Sequence, residues 1–508
     1  MGLNLALSNA IGGLANVNAG LAVVSQNIAN ASTPDYAAET TTQQAVSADG
    51  IGMGVASGPA VRVLDAQQQA SLFSQGGTVS GLQVRQQALA TIDGVMGTPG
   101  QNTDLGSLLG QVQSAFSSLL ADPSSGSQQR QVVAAAQGFT AQLNLVSNTV
   151  GQVREQAQVA IVAGVATLNA TIAMIGSQTQ QIMSARAAGT SSANLENQRD
   201  TALHTLSTLI DIRLLRQDNG NVMAITPSGL SINFQPGATQ FTAQAANLGA
   251  SSFYPGGGVP AITMNTVDVT AQLAGSGTLG GNIDVRDNIM PGLQAGLDEV
   301  AQTVSTRLQQ QGLTLFSRAD GTVPAGGGTP VQSTYVGYAS AIVINPAIVK
   351  QPFLVRDGTN AVAGSATGAS AFAPNPLGGP AGFTALISRV LGNSFTGQAQ
   401  AGVAQQSPNT SGLGPQGNLV GAFSAGTLAT ITAAVASAQA QQSSAISTSL
   451  SSEKAVQASL QTRLSQASSV SVDAELSTMV QLQNAYGANA RVMSAVQAMW
   501  THLLATVP

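Results

Sequence analysis

Cysteine is absent from the 508 residues, and charged side chains are scarce. The lack of cysteine excludes disulfides, thiolate metal ligands and cysteine nucleophiles. Charged residues make up 8% of the chain, about a third of the usual share in soluble proteins. Lys350 and Lys454 are the only lysines, and the formal net charge is −5. Because nucleic-acid binding needs a clustered basic face, this composition argues against a nucleic-acid partner.

The sequence also lacks the motifs of common enzyme classes. Aromatic residues make up 4% of the chain, which disfavours a large, densely packed enzyme core, and no GxSxG, HExxH or Walker pattern occurs. Residues 275–280 fit GxGxxG, but no convincing strand is predicted before them. His204 and His502 lie far apart at helical positions, which is typical of polar surface or groove residues. We therefore predict no catalytic residue, no cofactor and no metal site.

The first 30 residues are apolar but resemble neither a secretory signal nor a membrane span. A secretory signal requires basic residues before its apolar stretch, and none is present here. Asparagines at positions 4, 9, 16 and 18 and glycines at positions 12, 13 and 20 interrupt it, which argues against a transmembrane helix. We predict no membrane insertion, and we expect that any export proceeds without a cleavable signal peptide.

The two ends of the chain carry matching helical patterns. Near each terminus, apolar residues recur at alternating steps of three and four, which places them on one stripe of a helix that needs a partner helix. No charge precedes Asp35, and only Arg491 follows Glu475. We predict paired coiled-coil helices that pack inside an assembly. The N-terminal assembly seam comprises Leu3, Leu7, Leu14, Val17, Leu21, Val24 and Ile28. The C-terminal assembly seam comprises Leu476, Met479, Tyr486, Met493, Trp500 and Leu504.

Between these ends the pattern predicts a mainly α fold with a β-containing insertion. The helical periodicity resumes near Gln67 and is predicted to break at Gly76 and Gly77, and alternating apolar residues around Gly-containing turns predict strands after Asp211. The predicted segments are an N-terminal axial helix (1–35), an extended or β excursion (36–66), a long-helix bundle (67–210), a β-containing segment (211–285), a returning helix (286–315), an outward β- and loop-rich lobe (316–424), a second returning helix (425–470) and a C-terminal axial helix (471–508).

The predicted lobe, residues 316–424, is rich in Gly, Pro and Ala. It contains no long apolar stripe that neighbouring helices could bury. Because loop-rich surface segments tolerate deletion better than packed helices, we expect excision of residues 357–380 to leave the rest of the protein largely intact.

Several segments resemble flagellar proteins. Residues 25–36, SQNIANASTPDY, resemble the N-terminal signature shared by rod, hook and hook-associated proteins of the bacterial flagellum. Three further segments resemble the flagellar hook-associated protein 1 family, which forms the hook–filament junction. They are NLENQRDTALHTLSTLIDI (194–212), SGTLGGNIDVRDNIMPGLQAGLDEVA (276–301) and AYGANARVMSAVQAMWTHLL (485–504). The lobe matches weakly, and the low charge departs from the family.

The resemblance implies a structural, non-enzymatic role in a secreted assembly. The terminal helices are expected to line the core of a tube, with the long helices in a second layer and the lobe outside. The implied partners are further copies of the chain in a ring-like homo-oligomer, the flagellar hook protein, the second hook–filament junction protein and a flagellar export chaperone that binds the C-terminal helix. The implied location is the flagellar hook, outside the cell, after type III export.

Other interpretations stay open. The terminal stripes also fit core helices of an ordinary bundle, and Glu196, Arg199 and Asp200 have the spacing of a solvated charge cluster on one helix, although the resemblance favours a structural bridge. The chain could be another flagellar axial protein, such as a hook, rod or second junction protein; the ENQRD and TLGG segments favour the first junction protein. An exported adhesin would usually show internal repeats, and none is visible.

Overall fold

The computed structural model describes residues 2–33, 35–48, 51–97, 101–418, 423–424 and 426–505. The described chain is mainly α-helical, in agreement with the predicted fold class. The helices are α1 (Gly2–Asn30), α2 (Ala66–Met96), α3 (Leu105–Ala121), α4 (Gly126–Ala187), α5 (Ala193–Leu209), α6 (Thr270–Leu273), α7 (Gly277–Asp284), α8 (Met290–Gln310), α9 (Tyr338–Ala341), α10 (Pro346–Lys350), α11 (Leu354–Asp357), α12 (Ala385–Arg389), α13 (Leu428–Ser468) and α14 (Val472–Ala505). Positions 1, 34, 49–50, 98–100, 419–422, 425 and 506–508, which belong to the predicted segments, lie outside the described residues.

The strands form small antiparallel sheets at the edges of the helical body. A long hairpin, β1 (Glu39–Ala48) and β2 (Ile51–Arg62), follows α1, and a three-stranded sheet lies after α5. The remaining strands are β3 (Arg213–Arg216), β4 (Val222–Ile225), β5 (Ser231–Asn233), β6 (Phe241–Thr242), β7 (Thr263–Met264), β8 (Val267–Asp268), β9 (Phe316–Ser317), β10 (Val343–Ile344), β11 (Gln398–Gln400) and β12 (Val403–Ala404). The turns predicted around Gly220 and Gly229 connect β3 to β4 and β4 to β5.

Helix α4 is the spine of the molecule. Its 62 residues extend about 90 Å at 1.5 Å per residue. The helix starts after Ser125, whose hydroxyl accepts a hydrogen bond from the backbone N–H of Gln128 at 3.4 Å and caps the first turn. Buried side chains recur along its whole length, so α4 contributes to two successive hydrophobic cores. Together the two cores contain most of the buried apolar residues that the structure describes.

The first core surrounds the N-terminal half of α4 with α3, α8, the C-terminal half of α2 and residues from the predicted lobe. Phe139 and Phe316 meet there with ring centroids 5.6 Å apart. The second core surrounds the C-terminal half of α4 with α5, α7 and strands β3 to β6. Fully buried members such as Ile175 and Leu203 pack where the predicted bundle and the predicted β-containing segment meet.

Residues 316–424, predicted as an outward β- and loop-rich lobe, contribute buried side chains to the first core. Tyr335, Tyr338 and Leu386 are buried against the helices of the first core, although they do not form a helical stripe. Asp298 of α8 accepts backbone hydrogen bonds from Gly337 at 2.7 Å and Ala339 at 2.8 Å. Short turns deliver single apolar residues to the core, a pattern that periodicity does not detect.

The proposed excision of residues 357–380 therefore has to be revised. Phe372 belongs to the first core, and Val362 packs against that core. Asp357, which is itself buried, accepts a side-chain hydrogen bond from Asn375 at 2.7 Å. We now expect this deletion to destabilise the first core.

Two further boundaries differ from the sequence prediction because glycines permit close contacts between helices. Helix α2 continues through Gly76 and Gly77, and a Cβ on Gly77 would lie 2.9 Å from the backbone oxygen of Ser207. Residues 277–284, expected in the β-containing segment, form α7, which crosses α2 through Gly81 and Gly281. The glycines of the GxGxxG-like stretch thus allow tight packing between α2, α5 and α7.

Two helices are long and apolar enough to span a bilayer by length and composition, namely α1 and α4. In α4 the apolar stripe is buried against neighbouring helices along its whole length, as in a core helix of a folded body. In α1 the buried residues Ala10, Val17 and Val24 lie along one stripe.

Candidate functional site

The first and last long helices pack side by side, so the two ends of the chain meet. On α1 the buried residues are Ala10, Val17, Gly20, Val24 and Asn27. Small residues bring the helices close: a Cβ on Gly20 would lie 3.1 Å from Leu482, and a Cβ on Gly13 would lie 2.9 Å from Asn489. We call α1 and α14 the terminal pair. Few charges lie along the terminal pair, so the fit between its side chains sets how α1 and α14 align along their axes.

The N-terminal stripe lies in or beside this contact. Val17 and Val24 are buried, and the remaining predicted members are half-buried. Those half-buried members are Leu3, Leu7, Leu14, Leu21 and Ile28. The predicted seam therefore lies on or next to the buried side of α1, where Gly13, Gly20 and Asn27 approach α14.

The C-terminal stripe needs a correction for the contact with α1. Met479, Met493 and Trp500 are half-buried, whereas Leu476, Tyr486 and Leu504 are 48%, 46% and 67% exposed. A second row of residues on α14 is also covered from solvent. It consists of Glu475, Leu482, Asn489 and Val496, at steps of seven residues. Two of its four members are polar, so a search for apolar residues selected the adjacent row. An assembly role for the exposed residues stays a prediction.

The outer faces of α14 are apolar and exposed. All residues of α14 are described, and Val496 is the one that is buried. The exposed large apolar side chains are Val472, Leu476, Val480, Tyr486, Val492, Met499, Leu503 and Leu504. An apolar surface of this extent is typical of a protein–protein contact.

Asn27 anchors one end of the terminal pair. Its side-chain nitrogen donates to the backbone oxygen of Glu39 at 2.9 Å and to the carboxylate of Glu475 at 2.8 Å. Its side-chain oxygen accepts from the backbone N–H of Glu39 at 2.9 Å and from the hydroxyl of Tyr36 at 3.0 Å. The side chain is 1% exposed. One asparagine therefore connects α1, the start of β1 and α14.

The segment after α1 is fastened to α5. Asn197 accepts from the backbone N–H of Ala37 at 3.3 Å and donates to its carbonyl at 3.2 Å. His204 Nδ1 lies 2.7 Å from a carboxylate oxygen of Asp35, and its ring packs on Phe73 with centroids 5.7 Å apart. The ENQRD segment thus meets the residues that follow SQNIAN, although the two are about 160 positions apart in sequence.

A buried ion-pair cluster lies beside this attachment. Arg62, at the end of β2, bonds Glu196 at 3.0 Å and Asp200 at 2.7 Å. Arg186 bonds the other oxygen of Glu196 at 2.6 Å, and Arg216 lies 3.4 Å from Asp200. The side chain of Asp200 is fully buried. Removing one partner from such a cluster leaves an unpaired buried charge, so the cluster constrains how β2 sits on α5.

Burial and hydrogen bonding set the charges around the cluster. Burial raises the pKa of Glu196, but the hydrogen bonds from Ser192 and Arg186 outweigh it and leave the pKa below its usual range. Burial lowers the pKa of the Arg199 guanidinium to about 10, and Arg199 donates to the backbone oxygen of Gly220 at 2.6 Å. Burial also raises the pKa values of Tyr36 and Glu39. The geometry of Glu196, Arg199 and Asp200 is that of a structural bridge between elements.

Three residues that join these elements were not predicted from the sequence, namely Asn27, Asn197 and Arg62. The two asparagines lie inside the segments that resemble flagellar proteins, so the motif was the available signal. The sequence around Arg62 contains no pattern that predicts its role, because its partner Glu196 lies 134 positions later. Among the described residues, no group of three or more His, Asp or Glu side chains is placed to hold a metal ion.

Comparison with known families first gives the class of protein. The C-terminal model of flagellar basal body rod FlgEFG proteins matches residues 461–505, which include the end of α13 and all of α14. The model of the helical domain of flagellar hook-associated protein FlgK matches residues 89–322, which contain α4 and part of each core. Both matches support a flagellar axial protein, and the FlgK match together with the curated relatives supports a protein of the FlgK family of flagellar hook-associated proteins.

Curated relatives have the same description. Flagellar hook-associated protein 1 of Escherichia coli K12 is 25% identical over 308 residues, and that of Salmonella typhimurium LT2 is 24% identical over 305 residues. Each match covers 58% of this chain and 54% of the relative. The chain thus spans about half the length of the curated relatives it matches. The flagellar hook junction protein FlgK from Burkholderia pseudomallei aligns with a TM-score of 0.41 and 20% identity, over 50% of this chain and 46% of that one.

Proposed function

We propose that this chain is a structural subunit of the bacterial flagellum that forms the junction between hook and filament. The observation that carries the proposal is the terminal pair. Its one seam brings both chain ends together and leaves the outer apolar face of α14 uncovered. A subunit that assembles around a common axis needs such a surface, because each copy must contact neighbouring copies through the same elements.

In this proposal the terminal pair forms the axial part. The body, with its two cores, stands outside it. The predicted N-terminal and C-terminal seams become contacts between copies in a ring-like homo-oligomer, with Leu476 and Leu504 contacting neighbouring copies. The flagellar hook protein and the second junction protein are the proposed neighbours along the axis. A flagellar export chaperone is the proposed partner before assembly, since α14 needs cover until then.

Nothing in the described geometry requires a catalytic step. The buried charges bond each other or backbone groups, and the deepest among them, Asp200, sits where β2 meets α5. We propose an extracellular, non-enzymatic protein, exported through the flagellar type III apparatus without a cleavable signal peptide.

A gene-deletion strain tests this role. We expect bare hooks by electron microscopy, filament protein in the medium, and restored filaments on complementation with the full chain. Normal filaments in the deletion strain would rule the junction role out.

A second position in the flagellum is the alternative, because the rod-protein match covers only α14 and the end of α13 and does not distinguish among axial proteins. Loss of the hook or rod in the deletion strain, rather than loss of the filament alone, would favour that position. Labelling of the complemented protein at the hook–filament boundary would favour the junction.

A further inference from the structure

Arg307, in the last turn of α8, is a buried arginine with unused donors. Its residue is 3% exposed. Nη1 donates to the backbone oxygens of Gly426 at 2.9 Å and Thr396 at 3.3 Å. Nη2 makes one long bond, 3.5 Å to the backbone oxygen of Gln406. Nε is shielded from solvent and has no acceptor among the described residues.

No carboxylate compensates this charge. Burial is the one influence on the pKa of Arg307, which it lowers to about 10. The chain from residue 358 to residue 452, which includes the segments that cover the guanidinium, contains no Asp or Glu. Other buried arginines have more compensation. Arg286 bonds Asp287 at 2.7 Å, and each side-chain nitrogen of Arg154 donates to a carbonyl oxygen. Arg199 also has an Nε without an acceptor, but the charges of Asp200 and Glu196 lie close to it.

The unused donors lie on one side of the guanidinium. The Nε–H and the neighbouring Nη2–H of an arginine point in parallel, which is the arrangement that a carboxylate or another oxyanion accepts with two oxygens. In Arg307 this is the side with no bond at Nε and one long bond at Nη2. Nη1, on the other side, has both of its bonds.

A polar groove of about 410 Å³ lies beside the guanidinium, between α8 and the loop at residues 405–409. Arg307 and Gln406 both line it. The other walls are neutral hydrogen-bonding groups, with Glu299 as the one carboxylate. Both oxygens of Glu299 are engaged, by the hydroxyl of Tyr335 at 2.7 Å and the backbone N–H of Asn409 at 2.7 Å. The further polar side chains of the lining are Gln302, Thr303, Thr306, Gln310, Gln405, Ser407 and Asn409.

We propose that this groove binds a small oxyanion group, a carboxylate or its tetrahedral counterpart, through the Nε–H and Nη2–H fork of Arg307. Since Nε is covered, binding shifts the loop at 405–409. The bound group supplies the counter-charge that the chain lacks there and fastens the loop to α8. The same chemistry has two sources, a free ion or a carboxylate side chain of another protein. The proposal does not depend on the flagellar role.

Anion titration of the purified full chain tests the proposal. Sodium acetate and sodium sulfate are compared with sodium chloride at matched ionic strength. We expect acetate or sulfate to raise the unfolding temperature by about 2 °C or more and chloride not to. Equal responses to all three salts would overturn the proposal, since they would reflect ionic strength alone.

Two variants locate the effect. Arg307→Gln should weaken the anion response about tenfold or more, because the paired charge-assisted bonds are lost, whereas Arg318→Gln removes an equal charge from the same region and should leave the response unchanged. An undiminished response in a folded Arg307→Gln protein would refute the site.

A third variant covers the case in which Arg307→Gln does not fold. Gln310→Glu places a carboxylate three residues after Arg307 on the groove wall, where it can reach the fork. We expect it to fold and to lose the response to acetate and sulfate. Gln309→Glu, two residues after Arg307 and therefore on another face, should retain the response. Identical behaviour of the two variants would contradict the proposed geometry.

Blocked peptides separate the two sources. A capped, amidated tetrapeptide with one Glu side chain is compared with its Gln counterpart and with free acetate. Tighter binding of the Glu peptide than of acetate supports a protein carboxylate. Binding of acetate or sulfate with equal or weaker Glu-peptide binding supports a free ion. If the Glu peptide, acetate and sulfate all fail to bind, the proposed site is disproved.

Discussion

Helices α4 and α14 are both long and poor in charge, yet they bury very different fractions of their surface. In α4, buried residues recur from Gln129 to Ile182, because α3, α5, α7 and α8 cover its faces in turn. In α14, Val496 is the one buried residue, because α1 is its main neighbour. The apolar surface of α4 therefore stabilises the body of the protein. That of α14 stays largely exposed.

The few charged residues of the chain are unevenly distributed between the body and the terminal pair. Four of the fifteen arginines, Arg62, Arg186, Arg199 and Arg216, lie in or beside the cluster at α5. Little charge lies along the terminal pair, so its contacts are specified by shape and by Asn27. A charged cluster has a defined geometry that resists sliding, whereas apolar faces can accept several neighbours.

The largest expected effect is in the core of α4. Phe139→Ala should lower the free energy of unfolding by about 3–5 kcal/mol, since it empties a fully buried site against Phe316. Chemical denaturation followed by circular dichroism measures the loss. Leu145→Ala, on the same helix but 50% exposed, should change it by less than about 0.5 kcal/mol. Similar losses in both variants would mean that α4 is not the spine of the core.

Removing the anchor of the terminal pair should have the next largest effect. Asn27→Ala leaves the buried backbone N–H and C=O of Glu39 without their side-chain partner, at a cost of about 1–3 kcal/mol. The expected result is faster proteolysis at residues 31–38 while the body stays intact. Asn30→Ala is the control, because Asn30 bonds only within its own turn. Unchanged cleavage in Asn27→Ala would show that the pair is held elsewhere.

A substitution on the outer face of α14 should affect assembly without affecting the stability of the monomer. Leu476→Asp should change the free energy of unfolding of the monomer by less than about 0.5 kcal/mol, since Leu476 is 48% exposed. It should impair filament formation if this face contacts neighbouring copies, because a carboxylate would be buried there. Leu377→Asp, in the lobe at 96% exposure, should affect neither property. Motility and electron microscopy decide the matter, and normal filaments in Leu476→Asp would remove this face from the assembly.

The smallest expected effect is a pH dependence at His204. The hydrogen bond to Asp35 raises the pKa of His204 above 6.5, despite partial burial. The ion pair therefore stabilises fully below about pH 6.5 and less as pH rises through the raised pKa. The unfolding temperature of the wild type should fall more between about pH 6 and pH 8.5 than that of His204→Gln. His502→Gln, which alters the other histidine, should follow the wild type. Parallel curves for wild type and His204→Gln would exclude the ion pair as the cause.

Local periodicity predicted the terminal helices, a bundle of long helices and the strands after Asp211, because each prediction depends on the spacing of apolar residues and on turn residues. The motif resemblance pointed to the segments around Asn27 and Asn197. It did not show that these segments touch, since contacts over more than a hundred positions depend on how the helices dock.

The sequence by itself determined a charge-poor, mainly helical chain with matched terminal stripes. Tertiary structure alone decided which side of α14 faces α1, because Glu475 accepts a hydrogen bond from Asn27 and Asn489 packs against Gly13 at seam positions. It also decided the burial of residues 316–424, because scattered apolar residues form a core only when turns bring them together. Periodicity reports the faces of one element, whereas burial depends on which neighbours cover them.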